Sequence, residues 1–277
     1  MKRIDANGAR IPAIGLGTWT LKGRSCSELV EHALAVGYRH VDTAAAYGNE
    51  EEVGAGIRVS GMARDDIFVT TKVWPTDLAP ADFMKSAEAS LKRLGLHQVD
   101  LLLIHWPNPA IPLEGTIDAL NKARREGLTR HIGVANFTTG LLAEARKLSE
   151  APLVCDQVEY HPYLDQRKVL DACRANGMAM VSYCPLHRGG GLLEERVVKD
   201  AATARGVTPG QVILRWHVQQ EGVVAIPRTS KKERLAENIG IFGFELTDAE
   251  MRAISALSVK NSRLCDFDFA PEWDEPK

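Results

Sequence analysis

The chain has 277 residues, enough for one large core or two smaller domains, and its 45% hydrophobic and 25% charged residues are ordinary for a water-soluble globular protein. Its 34 basic residues are balanced by 36 acidic ones, which excludes a protein that wraps nucleic acid and leaves room only for a local anion pocket. No stretch approaches the length of an apolar membrane span, and the opening MKRIDANGARIP lacks the apolar centre of a secretory signal.

Asn7-Gly8 comes first. This pair between two short extended pieces predicts a type I′ hairpin, placed to close the bottom of whatever follows. From residue 14 onward, short apolar runs alternate with longer amphipathic ones. Strands are predicted at residues 14–17 (IGLG), 39–42 (RHVD), 67–72 (IFVTTK), 99–105 (VDLLLIH), 131–136 (HIGVAN), 154–159 (VCDQVE), 178–183 (MAMVSY) and 223–226 (VVAI). They are nearly continuous apolar runs, as parallel strands covered on both faces should be. Helices are predicted at residues 25–36, 81–95, 113–127, 164–177 and 208–222, with another starting at Asn49-Glu50 and a short one carrying Arg234. Thr208 with Pro209 and Gln211 forms a helix-start signature.

Eight strand–helix units predict an α/β protein of the (β/α)8 barrel class, a single domain over residues 1–277. The competing doubly wound sheet calls for an early G-x-G-x-x-G, but the run from Gly15 and Gly17 meets Thr20 where the third glycine should be. The five cysteines, Cys26, Cys155, Cys173, Cys184 and Cys265, are odd in number and widely spaced, without C-x-x-C. Neither a disulfide framework nor a metal site is expected, and a cytoplasmic location fits. Cys184, beside a strand end, reads as a small core residue in preference to an exposed thiol.

In such a barrel the active site forms at the C-terminal strand ends. Those ends carry Asp42, Lys72, His105, Asn136, Gln157 with Glu159, and Ser182 with Tyr183. Asp42 and Lys72 could be a buried structural pair, but such a pair is costly to desolvate. Tyr47, on the loop after Asp42, gives the pair a chemical use. A nearby ammonium is expected to lower the pKa of a phenol, and a phenol so placed can protonate an oxygen gaining negative charge. His105 is expected to orient that oxygen. None of these groups is itself a good nucleophile, so a bound hydride donor is implied. The segment after the last strand supplies an anion site for it through Arg228, Thr229, Ser230 and Arg234. Two arginines there favour NADP(H) over NAD(H). Tyr183 is expected to stack on the nicotinamide, with Asn136 and Gln157 at its carboxamide.

The runs GLGTW (15–19), GYRHVDTAAAYGNEEEVGAGI (37–57), TTKVW (70–74), VDLLLIHWP (99–107), IGVANF (132–137), QVEYHPYL (157–164) and IPRTSKKERLAEN (226–238) together resemble the aldo-keto reductase family along essentially the whole chain. Within it the chain is similar to the bacterial 2,5-diketo-D-gluconate reductases, the ending APEWD (270–274) to the B-type in particular. The resemblance implies NADPH-dependent carbonyl reduction, with Asp42, Tyr47, Lys72 and His105 as catalytic tetrad and Tyr47 as acid. It further implies cofactor contacts from Thr18, Asp42, Asn136, Gln157, Tyr183, Pro185 and Leu186. Arg228, Thr229, Ser230 and Arg234 would take the 2′-phosphate, and Glu237 and Asn238 the adenine. Ala135 and Arg228 depart from the family's usual Ser and Lys. Residues 185–195 either close over the pyrophosphate or form a flexible loop.

Trp19, Trp74 and Trp106, with Tyr47 and His105, are expected to line the substrate pocket. The short tail after residue 260 implies an open pocket suited to methylglyoxal or a diketo sugar acid. A monomer without membrane or nucleic-acid partners is expected. Two other readings stand beside this one: a barrel hydrolase or isomerase using Asp42 and His105, and a nicotinamide-binding regulatory protein with little catalysis.

Overall fold

A computed structural model describes residues 2–277. The chain opens with a hairpin of β1 (Arg3–Ala6) and β2 (Ala9–Pro12), joined by Asn7 and Gly8 at φ +45° and +89°. Both angles are positive, as a type I′ turn requires. Ile4 and Ile11 are buried beneath the hairpin, and the Asn7 side-chain amide donates to the carbonyls of Leu153 (2.7 Å) and Asn176 (3.0 Å). The hairpin thereby sits against the chain where two barrel strands begin.

Eight parallel strands follow: β3 (Leu16–Gly17), β4 (His40–Asp42), β5 (Phe68–Val73), β6 (Val99–Ile104), β7 (Thr129–Ala135), β8 (Leu153–Glu159), β9 (Ala179–Tyr183) and β10 (Val223–Ala225). They pair in sequence order, and the two edges meet. Gly15 N donates to Ala225 O (2.9 Å), Ala225 N to Ala13 O (3.0 Å) and Gly17 N to Pro227 O (3.1 Å). A Cβ on Gly17 would lie 2.7 Å from Ile226 O, so the glycine is needed for this seam and not for a dinucleotide fingerprint. The result is the curled, closed sheet of a (β/α)8 barrel. Every residue of β5, β6 and β8 is buried, which is why those segments read as unbroken apolar runs.

The helices are α1 (Gly23–Ala35), α2 (Glu50–Val59), α3 (Pro80–Leu94), α4 (Leu113–Arg125), α5 (Thr139–Leu148), α6 (Arg167–Ala175), α7 (Arg196–Thr203), α8 (Pro209–Gln219), α9 (Glu233–Ile239) and α10 (Asp248–Ser255). Thr208 and Gln211 form the expected reciprocal cap of α8. Helix α6 begins three residues later than the periodicity predicts. Leu164 is buried in a turn closed by its own amide on His161 O, and Asp165 accepts the Arg167 amide. Helices α5, α7 and α10 are absent from the sequence expectations, although Thr247 and Glu250 carry a readable capping box for α10. Among the described residues no helix is long and apolar enough to cross a membrane, and no three His, Cys, Asp or Glu side chains group as metal ligands.

Beyond the barrel proper, α10 is held to the end of α7 by charge. The Glu250 carboxylate accepts from both terminal nitrogens of Arg205 (2.7 and 2.6 Å) and from the Thr247 amide (2.7 Å). The Arg205 hydrogen bond, opposed by partial burial, brings the Glu250 pKa down to about 2 from 4.5. A depressed carboxylate pKa stabilises the fold fully above pH 4.5, and that contribution is lost as pH falls through about 2. Glu250→Gln should therefore cost about 1–2 kcal/mol at neutral pH. Its denaturation midpoint should also fall less than the parent's as the solution is acidified, which chemical denaturation at several pH values would check.

Candidate active site

A cleft of about 1500 Å³ opens at the C-terminal ends of the strands. At its floor, Lys72 reaches up from β5 with its ammonium fully buried. Its three N–H groups are spent on Asp42 Oδ1 (2.6 Å), Thr43 O (2.8 Å) and the Tyr47 hydroxyl (3.3 Å). The other Asp42 oxygen accepts from Gln157 Nε2 (2.7 Å), while the Asp42 carbonyl takes the Thr18 hydroxyl (2.9 Å). Strands β4, β5 and β8 are thus tied together by one carboxylate. The Lys72 ammonium also lies 4.9 Å from the centre of the Tyr47 ring.

Tyr47 belongs to a 3-10 turn, Ala45–Tyr47, that directly follows β4. Asn49 anchors the base of that loop. Its Oδ1 accepts from the Thr43 hydroxyl (2.8 Å), and its amide donates to Thr18 O (2.8 Å) and Leu21 O (3.0 Å). Next to it Glu50 is buried against the Thr71 hydroxyl (2.5 Å) and Arg93 (2.6 Å). The sequence marks both residues only as a helix start, because their partners are distant along the chain.

The acid strength of Tyr47 differs from the sequence expectation. Burial of its hydroxyl raises the pKa, and the lowering by Lys72 does not overcome it. The expected net lowering is therefore corrected: desolvation of the phenolate outweighs the single cation beside it. Burial also works to lower the Lys72 pKa, but the Asp42 carboxylate and Tyr47 carry it above the ordinary value. His105 is pushed well below its ordinary value by burial, with Lys72 adding to the effect. At neutral pH the floor holds a charged lysine, a protonated phenol and a neutral imidazole.

His105 packs edge-on to Tyr47 and to Trp74, with ring centres 5.6 and 5.1 Å away. Its Nδ1 is buried without a partner. Asn136, in a left-handed conformation at φ +62°, donates to His105 O (2.9 Å) and accepts from the Tyr183 hydroxyl (2.8 Å). Thr18, Trp19, Trp74, Trp106, Gln157, Tyr183, Pro185 and Leu186 all line the same cleft, as do Arg228, Thr229, Ser230 and Arg234. Arg228 donates to Trp19 O (3.2 Å), bridging the loops after β10 and β3, and Lys231 adds a further cation. Arg188, from the loop after β9, places its guanidinium 5.4 Å from the Trp19 ring.

Some predicted positions lie elsewhere. Glu237 and Asn238 do not line the cleft. Glu237 accepts the Thr208 hydroxyl (2.6 Å), and Asn238 is buried near the Tyr38 hydroxyl, which donates to Leu235 O (3.3 Å). Ser182 donates to Tyr160 O (2.7 Å). Glu159 faces His161 (2.9 Å) and accepts the amides of Leu264 and Cys265 (2.7 Å each). That last pair docks the C-terminal tail on the barrel, and Asp274 fastens the tail again at Thr139 (2.6 and 2.8 Å). Between the two anchors the tail brings Phe267 and Phe269, stacked with centres 5.3 Å apart, against Trp106 and Trp74. Sequence reading missed this aromatic wall, though the FDF spacing was there to see.

Residues 13–259 match the model of the aldo/keto reductase family. The chain belongs to the aldo/keto reductase family. It is an oxidoreductase of a family that uses NADP(H). The reductase is 40% identical to the methylglyoxal reductase DkgB of Salmonella typhi over 267 residues, 95% of this chain and 99% of that one. Its fold superimposes with a TM-score of 0.97 on a crystal structure provisionally named 2,5-diketo-D-gluconic acid reductase B, at 44% identity over 99% of this chain and 98% of the other. The Bombyx mori aldo-keto reductase in complex with NADP gives a TM-score of 0.90 at 33% identity, covering 98% and 97%.

Proposed function

We propose that this reductase converts aldehyde and ketone carbonyls to alcohols with NADPH as reductant, Tyr47 delivering the proton to the carbonyl oxygen. One observation carries the reading. Lys72 has all three of its N–H groups committed, one of them to the Tyr47 oxygen. The phenol therefore accepts from Lys72 and keeps its own O–H for the cleft. As that proton leaves, negative charge grows on Tyr47 beside a fixed ammonium, an interaction stronger in the transition state than before it. His105 is neutral, and carrying its proton on Nε2 leaves no buried N–H without an acceptor. That N–H then holds the substrate oxygen within reach of Tyr47.

The cleft suits a phosphorylated dinucleotide. Arg228, Lys231 and Arg234 with the hydroxyls of Thr229 and Ser230 gather at one arm, and Tyr183 flanks the floor residues at the other. When bound, the reduced nicotinamide supplies hydride. Tyr183 would support its ring, Asn136 and Gln157 its carboxamide, and Arg228, Ser230 and Arg234 the 2′-phosphate. Glu237 and Asn238 would address the adenine from helix α9, just beyond the residues that line the cleft. Residues 1–277 act as one domain, with the hairpin closing the end of the barrel opposite the cleft. The substrates proposed are small dicarbonyls such as methylglyoxal, the substrate named for the Salmonella relative, and diketo sugar acids. We read the protein as a cytoplasmic monomer, in keeping with its five free thiols.

Mixing the protein with NADPH and methylglyoxal should consume NADPH, followed by its near-ultraviolet absorbance. NADH lacks a group worth a charge-assisted hydrogen bond of about 1.5–3 kcal/mol, so kcat/KM should fall about tenfold to a hundredfold with it. No NADPH consumption across a panel of aldehydes, dicarbonyls and keto sugar acids would overturn the proposal.

A further inference from the structure

Two cysteines that are distant in sequence share one wall of the cleft. Cys184 directly follows Tyr183, which pairs with Glu159 in the sheet. The Glu159 carboxylate holds the amide of Cys265 at 2.7 Å. One residue therefore fixes both backbones on the same wall of the cleft, and the two thiols are close enough to shift each other's acidity in opposite directions. Both line the cleft, whereas Cys26, Cys155 and Cys173 are buried away from it. Cys184 is partly exposed and sits in a left-handed conformation at φ +49°. The Arg188 guanidinium, resting against Trp19, places a positive charge near its sulfur. A pair of adjacent thiols, one of them accessible and beside a cation, is the arrangement of a redox-sensing site.

We propose that Cys184 and Cys265 form a dithiol modification site that a peroxide oxidises to an intrachain disulfide. The Cys184 thiolate attacks one peroxide oxygen and the O–O bond breaks. The departing hydroxide takes a proton and leaves as water, and Cys184 becomes a sulfenic acid. Cys265 then gives up its proton, its sulfur attacks the Cys184 sulfur, and the S–O bond breaks with release of a second water. One peroxide is reduced to two waters while the two thiols are oxidised to one disulfide. The order of roles follows from the environments. Cys265 holds the Cys184 thiol below its ordinary value against burial, with Arg188 helping, whereas Cys184 and burial push Cys265 upward. The bond would stitch the tail bearing Phe267 and Phe269 to the end of β9. It does not depend on the carbonyl chemistry proposed above.

The test is a peptide map of the dilute full-length protein after hydrogen peroxide, with free thiols alkylated and no reductant. Trypsin should release residues 175–188 joined to residues 264–277, and the thiol titre of the unfolded protein should fall by two, both reversed by dithiothreitol. In Cys265→Ser the joined peptide should vanish and dimedone should label Cys184. Should that variant fail to fold, the wild-type map alone decides. An unchanged thiol titre, a sulfinic acid on Cys184 without the joined peptide, or only intermolecular disulfides would overturn the proposal.

Discussion

Tyr47→Phe should lower kcat for carbonyl reduction about a hundredfold to ten-thousandfold, the usual worth of a positioned acid. The substitution keeps the ring against His105 and beneath the Lys72 ammonium and removes only the hydroxyl. That interaction is proposed to strengthen in the transition state, so kcat and kcat/KM should fall together while KM changes little. NADPH should still quench tryptophan fluorescence, since Trp19, Trp74 and Trp106 remain around the cleft. The pH profile adds an independent readout. Because burial raises the Tyr47 pKa, the donor form persists through neutral pH, and reduction should not weaken before the ordinary phenol range near about pH 10. Full activity in the variant would sink the assignment of the proton donor.

Lys72→Met should have a different signature. It strands the Asp42 carboxylate in the barrel interior with Gln157 as its one remaining side-chain partner. Breaking a buried pair by removing one member costs about 3–5 kcal/mol. For a domain of this size that is a drop of roughly 10 °C in Tm. The rate should also fall, because the phenolate loses its counter-charge. The double variant Asp42→Asn with Lys72→Met removes both charges while keeping the volume, and most of the lost stability should return. Its activity should not return with it. Thermal melts and kinetics on the three proteins separate the two effects, and a Lys72→Met protein that melts with the parent would show that the pair does not hold the barrel floor.

All eight barrel strands were readable in the chain because nearly all of their residues are buried on both faces, and a mostly apolar run needs no tertiary knowledge to recognise. Asp42, Lys72 and His105 stood out for the same reason: each interrupts or ends such a run. Their convergence on one cleft with Tyr47 follows from barrel geometry. What escaped depends on distance or on competition between terms. Glu159 reads as one more polar strand end until the tail, more than a hundred residues on, lays two amides on it. Cys184 passes for a core residue until Cys265 is set opposite. The direction of the Tyr47 shift could not be read at all, since Lys72 and burial oppose each other and only the depth of the hydroxyl decides between them. The short helices α7 and α10 span eight residues each, too few for a periodic stripe to declare itself.

Glu159 grips the tail by peptide N–H groups and not by side chains. Any residue except proline offers the same handle. Mutations at Leu264, Asp266, Phe267 or Phe269 can therefore redraw the aromatic wall while the docking point stays as it is. The barrel and its proton-delivery floor need no compensating change. A lineage built this way can diverge in what it accepts through one short terminal segment, leaving the most tightly coupled part of the molecule alone.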